Sequence, residues 1–259
     1  FARGPRGAPS LVATYGPWGF LHRGATPATY LSALAAWAFL GLCFAAVGEL
    51  SGRDRGAPAG PEALRRAALL AALAIQPREL VLLLLPAGAG EGRDDDDGIA
   101  GWALRVAACA GAALAALVKH NALVLSVVAI GVLVARRVAA GRSPGPEPLV
   151  FAASFLAFWV GAGERLADLP RHFAGGLAVV AAYGESASIP AEPGSWGVPI
   201  AVALLGLVLG LETLAAIRRA DRDGVLQALG ASAAALIVFR SGALRAANHE
   251  HLVLTWAGL

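Results

Sequence analysis

Long apolar runs, broken by short polar or Gly/Pro-rich stretches, set the pattern of this chain. Residues 30–47 form an unbroken apolar run that includes Trp37 and Phe39, long enough to predict a transmembrane helix, since about 20 apolar residues cross the hydrocarbon layer. Residues 49–61 are Gly/Pro-rich and read as a loop. Residues 62–85 are apolar again but interrupted at Gln76-Pro77-Arg78-Glu79. Pro77 removes a backbone donor there, which predicts a kink or a full turn. Residues 87–98 are a polar loop carrying Asp94 to Asp97.

Residues 101–134 are too long for one straight crossing and carry Lys119-His120-Asn121 in the middle. A basic, Pro-rich loop follows over 136–148, then an aromatic-rich helix over 149–162 and a mixed segment over 164–193. Residues 196–217 predict another helix ending at Arg218-Arg219, residues 225–239 a shorter one, and 240–251 a polar loop before a last apolar run from Leu252. The pattern predicts an all-α fold, a single polytopic transmembrane bundle over 1–259 with short broken helices and outer-face loops. The chain begins at Phe1, contains no Met and reads as a fragment of a longer protein.

Basic residues set the expected orientation. Arg53, Arg55, Arg65 and Arg66 mark one loop; Arg136, Arg137 and Arg142 a second; Arg218, Arg219 and Arg222 a third. Cytoplasmic loops are enriched in Lys and Arg, so all three belong on one side, and an even number of crossings separates the first two. Two arrangements satisfy this. In one, 62–85 crosses outward and 101–134 returns as one broken crossing, leaving the Asp run outside. In the other, turns at 76–79 and 119–121 make four short crossings, with the Asp run inside. In both, residues 1–27, 164–193 and 240–251 share the outer face.

Composition agrees: 57% of residues are hydrophobic and 15% charged, against roughly 25% charged in soluble domains. The net charge of +3 does not indicate nucleic acid, because the arginines sit at the ends of apolar runs and no nucleic-acid motif is present. Cys43 and Cys109 lie inside apolar runs and read as buried free thiols. Walker, GxSxG and HExxH motifs are absent from the sequence.

The candidate chemistry sits at polar interruptions. Lys119 and His120 lie within apolar sequence, where an ionisable residue is costly and points to function. Lys119 suits an anionic lipid headgroup such as a phosphate; it equally suits snorkelling to the interface. Arg240, Arg245, His249 and His251 lie in one loop between apolar runs, where basic groups hold phosphate and a histidine moves protons; an ordinary charged loop has the same composition. His172, Tyr183 and Glu185 lie on the long outer segment, which suits either a roof over a site or a surface-lying helix. Arg78 and Glu79 read as a local ion pair. The Asp run reads as a solvated loop rather than a metal site, and no cofactor is indicated.

Thr14-Tyr15-Gly16-Pro17-Trp18-Gly19-Phe20-Leu21 stands just before the first helix. By residue type it is a membrane-surface anchor or a substrate-facing loop. Its Tyr15-Gly16-Pro17-x-Gly19-Phe20-Leu21 core resembles bacterial multi-spanning proteins related to the GT-C glycosyltransferases, the class of the protein mannosyltransferases and the aminoarabinose transferase of lipid A. Lys119 between two apolar helices, Tyr183-Gly184-Glu185-Ser186, and Phe239-Arg240 with Arg245 and His251 are similar to further elements of that class. The resemblance implies an outward-facing site in a bacterial inner membrane and a polyisoprenyl-phosphate sugar as donor. It makes Lys119, Arg240 and Arg245 the expected phosphate contacts, and together with Tyr15, His120, His249 and His251 they form the expected substrate-binding set. The class carries an acid in its first outer loop, whereas no Asp or Glu precedes Glu49 here; that acid is expected upstream of Phe1 or has been lost. A transporter or flippase for an anionic substrate, and a non-catalytic protein retaining the fold, are the alternatives.

Overall fold

The computed structural model describes residues 17–18, 21, 27–53, 99–186, 197–220 and most of 222–233. Among them the fold is all-α: α1 (Tyr30–Arg53), α2 (Ile99–Val118), α3 (His120–Ala139), α4 (Glu147–Gly161), α5 (Leu169–Ser186) and α6 (Gly197–Arg218), with 3-10 turns at Pro27–Thr29 and Leu166–Asp168 and no strand. The expected turn at 76–79, the Asp run and the loop 240–251 lie outside the described residues.

Both faces of α1 are apolar. Ala33, Ala36, Leu40 and Cys43 recur at helical spacing and are buried, while Leu31, Leu34 and Leu42 on the opposite side are exposed. A helix apolar all round needs an apolar solvent on its outer face. The same holds for α6, where Leu207, Leu211, Leu214 and Ile217 are exposed. Among the described residues three helices are long and apolar enough to cross a membrane, or four if the bent pair formed by α4 and the chain from Leu166 to Gly176 counts as one span. The chain is thus a multi-helix membrane protein.

At the centre stands α2, packed against α1, α3 and α4. Every residue from Ala112 to Val118 is at most 1% exposed. Its many alanines let neighbouring backbones approach closely, which is how helices associate where lipid removes the hydrophobic drive. Leu40, Cys43, Leu114 and Val118 pack in one buried cluster, and Leu117, Phe155 and Trp159 in a second.

The long apolar stretch 101–134 is two helices, because one residue breaks it. Lys119 is extended (φ −144°, ψ 128°). Its N–H donates to the Ala115 carbonyl, closing α2, and its own carbonyl accepts from the Ala122 and Leu123 N–H groups, opening α3. The chain reverses at this residue. The Ser126 hydroxyl lies 3.4 Å from the Ala112 carbonyl, whereas 14 residues of continuous helix would separate them by about 21 Å. Of the two arrangements open in the sequence, the turn at 119–121 is the one that forms.

The far ends of this hairpin meet at Glu147. Arg137, in the last turn of α3, donates from Nη1 to Glu147 Oε2 at 2.5 Å and from Nη2 to Oε1 at 2.9 Å. Arg105 of α2 adds an ion pair, its Nε 3.5 Å from Oε1. Glu147 is in the first turn of α4 and Arg137 in the last of α3, so each also complements its helix dipole. Gly145 has φ +80°, and a Cβ on it would overlap the Arg137 guanidinium. A larger residue there would meet both strain and a clash.

After α4 the chain bends by 110°. Gly163 takes φ +81°, and the Trp159 indole N–H donates to the Arg165 carbonyl at 2.9 Å, tying the bend together.

Candidate functional site at the Lys119 turn

The reversal at Lys119 leaves this residue and His120 at one end of the α2–α3 hairpin, both buried, at 7% and 6% exposure. Two other parts of the chain come to the same end. Trp18, before α1, donates its backbone N–H to the Leu117 carbonyl at 3.2 Å and its indole N–H to the Phe158 carbonyl at 3.0 Å. Its ring stands edge-on to Phe158, and its own carbonyl accepts from the Leu21 N–H. Trp18 thus pins the segment preceding α1 to the tips of α2 and α4.

The other part is the start of α5, brought round by the bend. His172 lies with its ring centroid 4.7 Å from that of His120, the two planes tilted by 43°. The edge of Trp159 meets His172 at 4.8 Å, and Phe173 stacks on Phe155 at 5.8 Å. One helical turn beyond His172, Gly176 allows α5 to close on His120: a Cβ at Gly176 would lie 2.8 Å from His120 Nδ1. His120 Nδ1 and His172 Nε2 are both buried without a hydrogen-bond partner among the described residues.

This end of the bundle therefore presents a buried lysine, two imidazoles from different helices and an aromatic wall of Trp18, Phe158 and Trp159. A buried ammonium favours an anion. Imidazoles in contact can transfer a proton or share a ligand.

Of the expected site residues, Lys119 and His120 belong to this cluster. Tyr15, Arg240, Arg245, His249 and His251 lie outside the described residues. The sequence placed His172 on the outer segment but did not join it to His120; it expected Gly175-Gly176 to break that segment, whereas α5 runs through both, and it did not single out Trp159. The spacing of His172 and Gly176, four apart and so on one helix face, was the available signal. Arg105 and Glu147 were not foreseen either, since neither stands out from the charges at the ends of apolar runs.

Among the described residues no group of three or more His, Cys, Asp or Glu gathers around one point. Comparison of the chain with known protein families, with curated proteins and with solved structures finds no match.

Proposed function

We propose that the protein is an outward-facing membrane glycosyltransferase of the GT-C-like kind, moving a sugar from a polyisoprenyl-phosphate donor at the membrane surface. The observation that carries this reading is the buried Lys119 at the hairpin turn, where the segment before α1 and the bend between α4 and α5 converge. A lysine in an apolar, aromatic setting is a strong electrostatic partner for a phosphate that gains charge as a sugar departs. His120 stands beside it to hold the phosphate or relay a proton. Arg240, Arg245, His249, His251 and Tyr15 complete the proposed substrate set on the sequence resemblance alone.

The proposed orientation, in a bacterial inner membrane, puts the Lys119 turn outside and the basic end of α3 with the loop after it, carrying Arg136 and Arg142, inside. Because α2 and α3 form a hairpin, the chain between Arg66 and Ile99 then crosses an even number of times, and the Asp run lies inside.

The test is transfer of labelled sugar from a panel of polyprenyl-phosphate donors to lipid acceptors, with the full-length protein in lipid. Wild type should transfer and folded Lys119→Ala should lose activity by about two orders of magnitude or more, the scale of one lost transition-state contact. No transfer from any donor overturns the reading. A transporter is the second reading, favoured by the 110° break between α4 and α5, since broken helices line transporter sites. Donor movement across vesicles without sugar transfer would select it.

A further inference from the structure

We propose that the contact between His120 and His172 is an acid-operated latch: protonation of the ring pair frees the start of α5 from α3 and opens the Lys119 end of the bundle. The inference rests on the packing of the two rings and is independent of the sugar-transfer reading.

The start of α5 is held to the bundle by rings rather than by polar bonds. His172 lies on His120 and against the edge of Trp159, and Phe173 stacks on Phe155. Gly176 closes over the His120 ring, where a Cβ would come 2.8 Å from Nδ1. Among the described residues no hydrogen bond or ion pair ties α5 to α3 or α4. An element attached through so few contacts opens at a lower cost than the core does.

The patch suits neutral rings and not charged ones. A neutral imidazole has one N–H and one lone pair, whereas the protonated ring is a donor at both nitrogens. His120 Nδ1 and His172 Nε2 are both buried without a hydrogen-bond partner among the described residues. Protonation makes each of them a charged donor with no acceptor, which costs more than a neutral group left in the same place. Two charged rings with centroids 4.7 Å apart also repel, and the buried Lys119 at the same end adds charge of the same sign.

The surroundings offer no compensation while α5 is docked. The turn into α3 brings Lys119, α4 brings Phe155 and Trp159, and the segment before α1 brings Trp18; none of these is an acid. On and just before α5 stand Glu164, Arg165, Asp168 and Arg171, all exposed. Asp168, four residues before His172, makes no ion pair with it in the docked arrangement. Once α5 swings away, a charged His172 can reach that carboxylate, since an acid four residues ahead of a cation is the favourable order on a helix. Acid thus weakens the closed contact and gives the open one a partner. Histidine is the side chain that makes such a change near neutral pH.

The experiment follows the distance between spin labels on α3 and α5 in the full-length protein in nanodiscs. The background carries Cys43→Ala and Cys109→Ala, and the labels sit at Val127→Cys and Ala174→Cys, both exposed positions. On going from about pH 7.5 to about pH 5, a longer-distance population should rise roughly tenfold, the scale of an ordinary effector coupling, and should fall again on return. His120→Phe and His172→Phe keep a ring and remove the titration, so both should stay closed at either pH, with elution as a single species as the folding control. Asp168→Asn changes only an exposed side chain, and its transition should move to lower pH. A distance that stays fixed with pH before these changes, the same lengthening in the folded Phe variants, or an Asp168→Asn midpoint that does not move would each overturn the proposal.

Discussion

Arg137 and Glu147 face each other as a two-bond fork, Nη1 to Oε2 and Nη2 to Oε1, with both side chains less than a tenth exposed. Arg105 approaches the same carboxylate from α2. Two cations thus share one anion, and the three substitutions should not cost the same. Removing one partner of a buried pair costs about 3–5 kcal/mol. Glu147→Gln removes the charge that both arginines share and should be the most damaging. Arg137→Gln should come next, and Arg105→Gln, which leaves the fork intact, should cost least. Denaturant unfolding in micelles ranks them; equal losses for Arg105 and Glu147 would show that the fork is not the central contact.

Gly145→Ala should also be destabilising although it removes nothing. The backbone there has positive φ and the new methyl would enter the Arg137 guanidinium. A cost of about 1–3 kcal/mol is expected for the strain alone, and the midpoint of thermal unfolding should fall. Gly141→Ala makes the comparison: it shares the positive φ but has open space around it, so the difference between the two reports the clash.

Ala112 is fully buried, with its carbonyl 3.4 Å from the Ser126 hydroxyl of α3. Ala112→Leu should overpack this contact by about 1–3 kcal/mol, whereas Leu42→Ala, at an exposed position of α1, should change stability little. Equal effects would mean that the two helices do not pack as described.

Trp18→Phe deletes the indole N–H that reaches the Phe158 carbonyl and keeps an aromatic ring. The loss should be about 1 kcal/mol, the usual net value of one hydrogen bond. It should appear first as faster proteolysis in the segment before α1, while the core unfolds nearly as in wild type.

The hairpin also makes a prediction about sidedness. Single cysteines at Asp95 and Arg142 should react with a membrane-impermeant thiol reagent from the same side, and one at Asn121 from the opposite side. The background for this test replaces Cys43 and Cys109 with Ala. Labelling of the Asp95 and Arg142 positions from opposite sides would contradict the hairpin of α2 and α3.

Much of the architecture was legible in the run lengths. The first helix starts with its apolar run at Tyr30 but continues to Arg53, through residues 49–53 that the pattern reads as loop; the break at Lys119 falls at the polar interruption, and the aromatic helix near Leu149 and the helix before Arg218 fall where apolar runs begin and end. Whether the chain kinks or reverses at Lys119 was not legible, because both outcomes use the same residues; one extended backbone conformation and the Ser126–Ala112 contact decide it. Lys119 and His120 stood out because polar groups at membrane depth are rare. His172 did not stand out as their neighbour, since its position depends on a bend whose angle no local pattern encodes. Glu147 looked like an ordinary loop acid beside Pro146 and Pro148. Only the folded chain reveals that two arginines from different helices close on it.

The one-residue turn at Lys119 has a mechanical consequence. With no slack between α2 and α3, adding or deleting a single residue there would rotate α3 by about 100° against its neighbour. That rotation would carry Ser126 away from Ala112 and, 11 residues further on, swing Arg137 away from Glu147. The turn at one surface and the ion pair near the other are therefore in register through a rigid rod. Length changes should be tolerated in the glycine-bearing loop between Ala139 and Glu147 only where the fork is spared, and at Lys119 not at all.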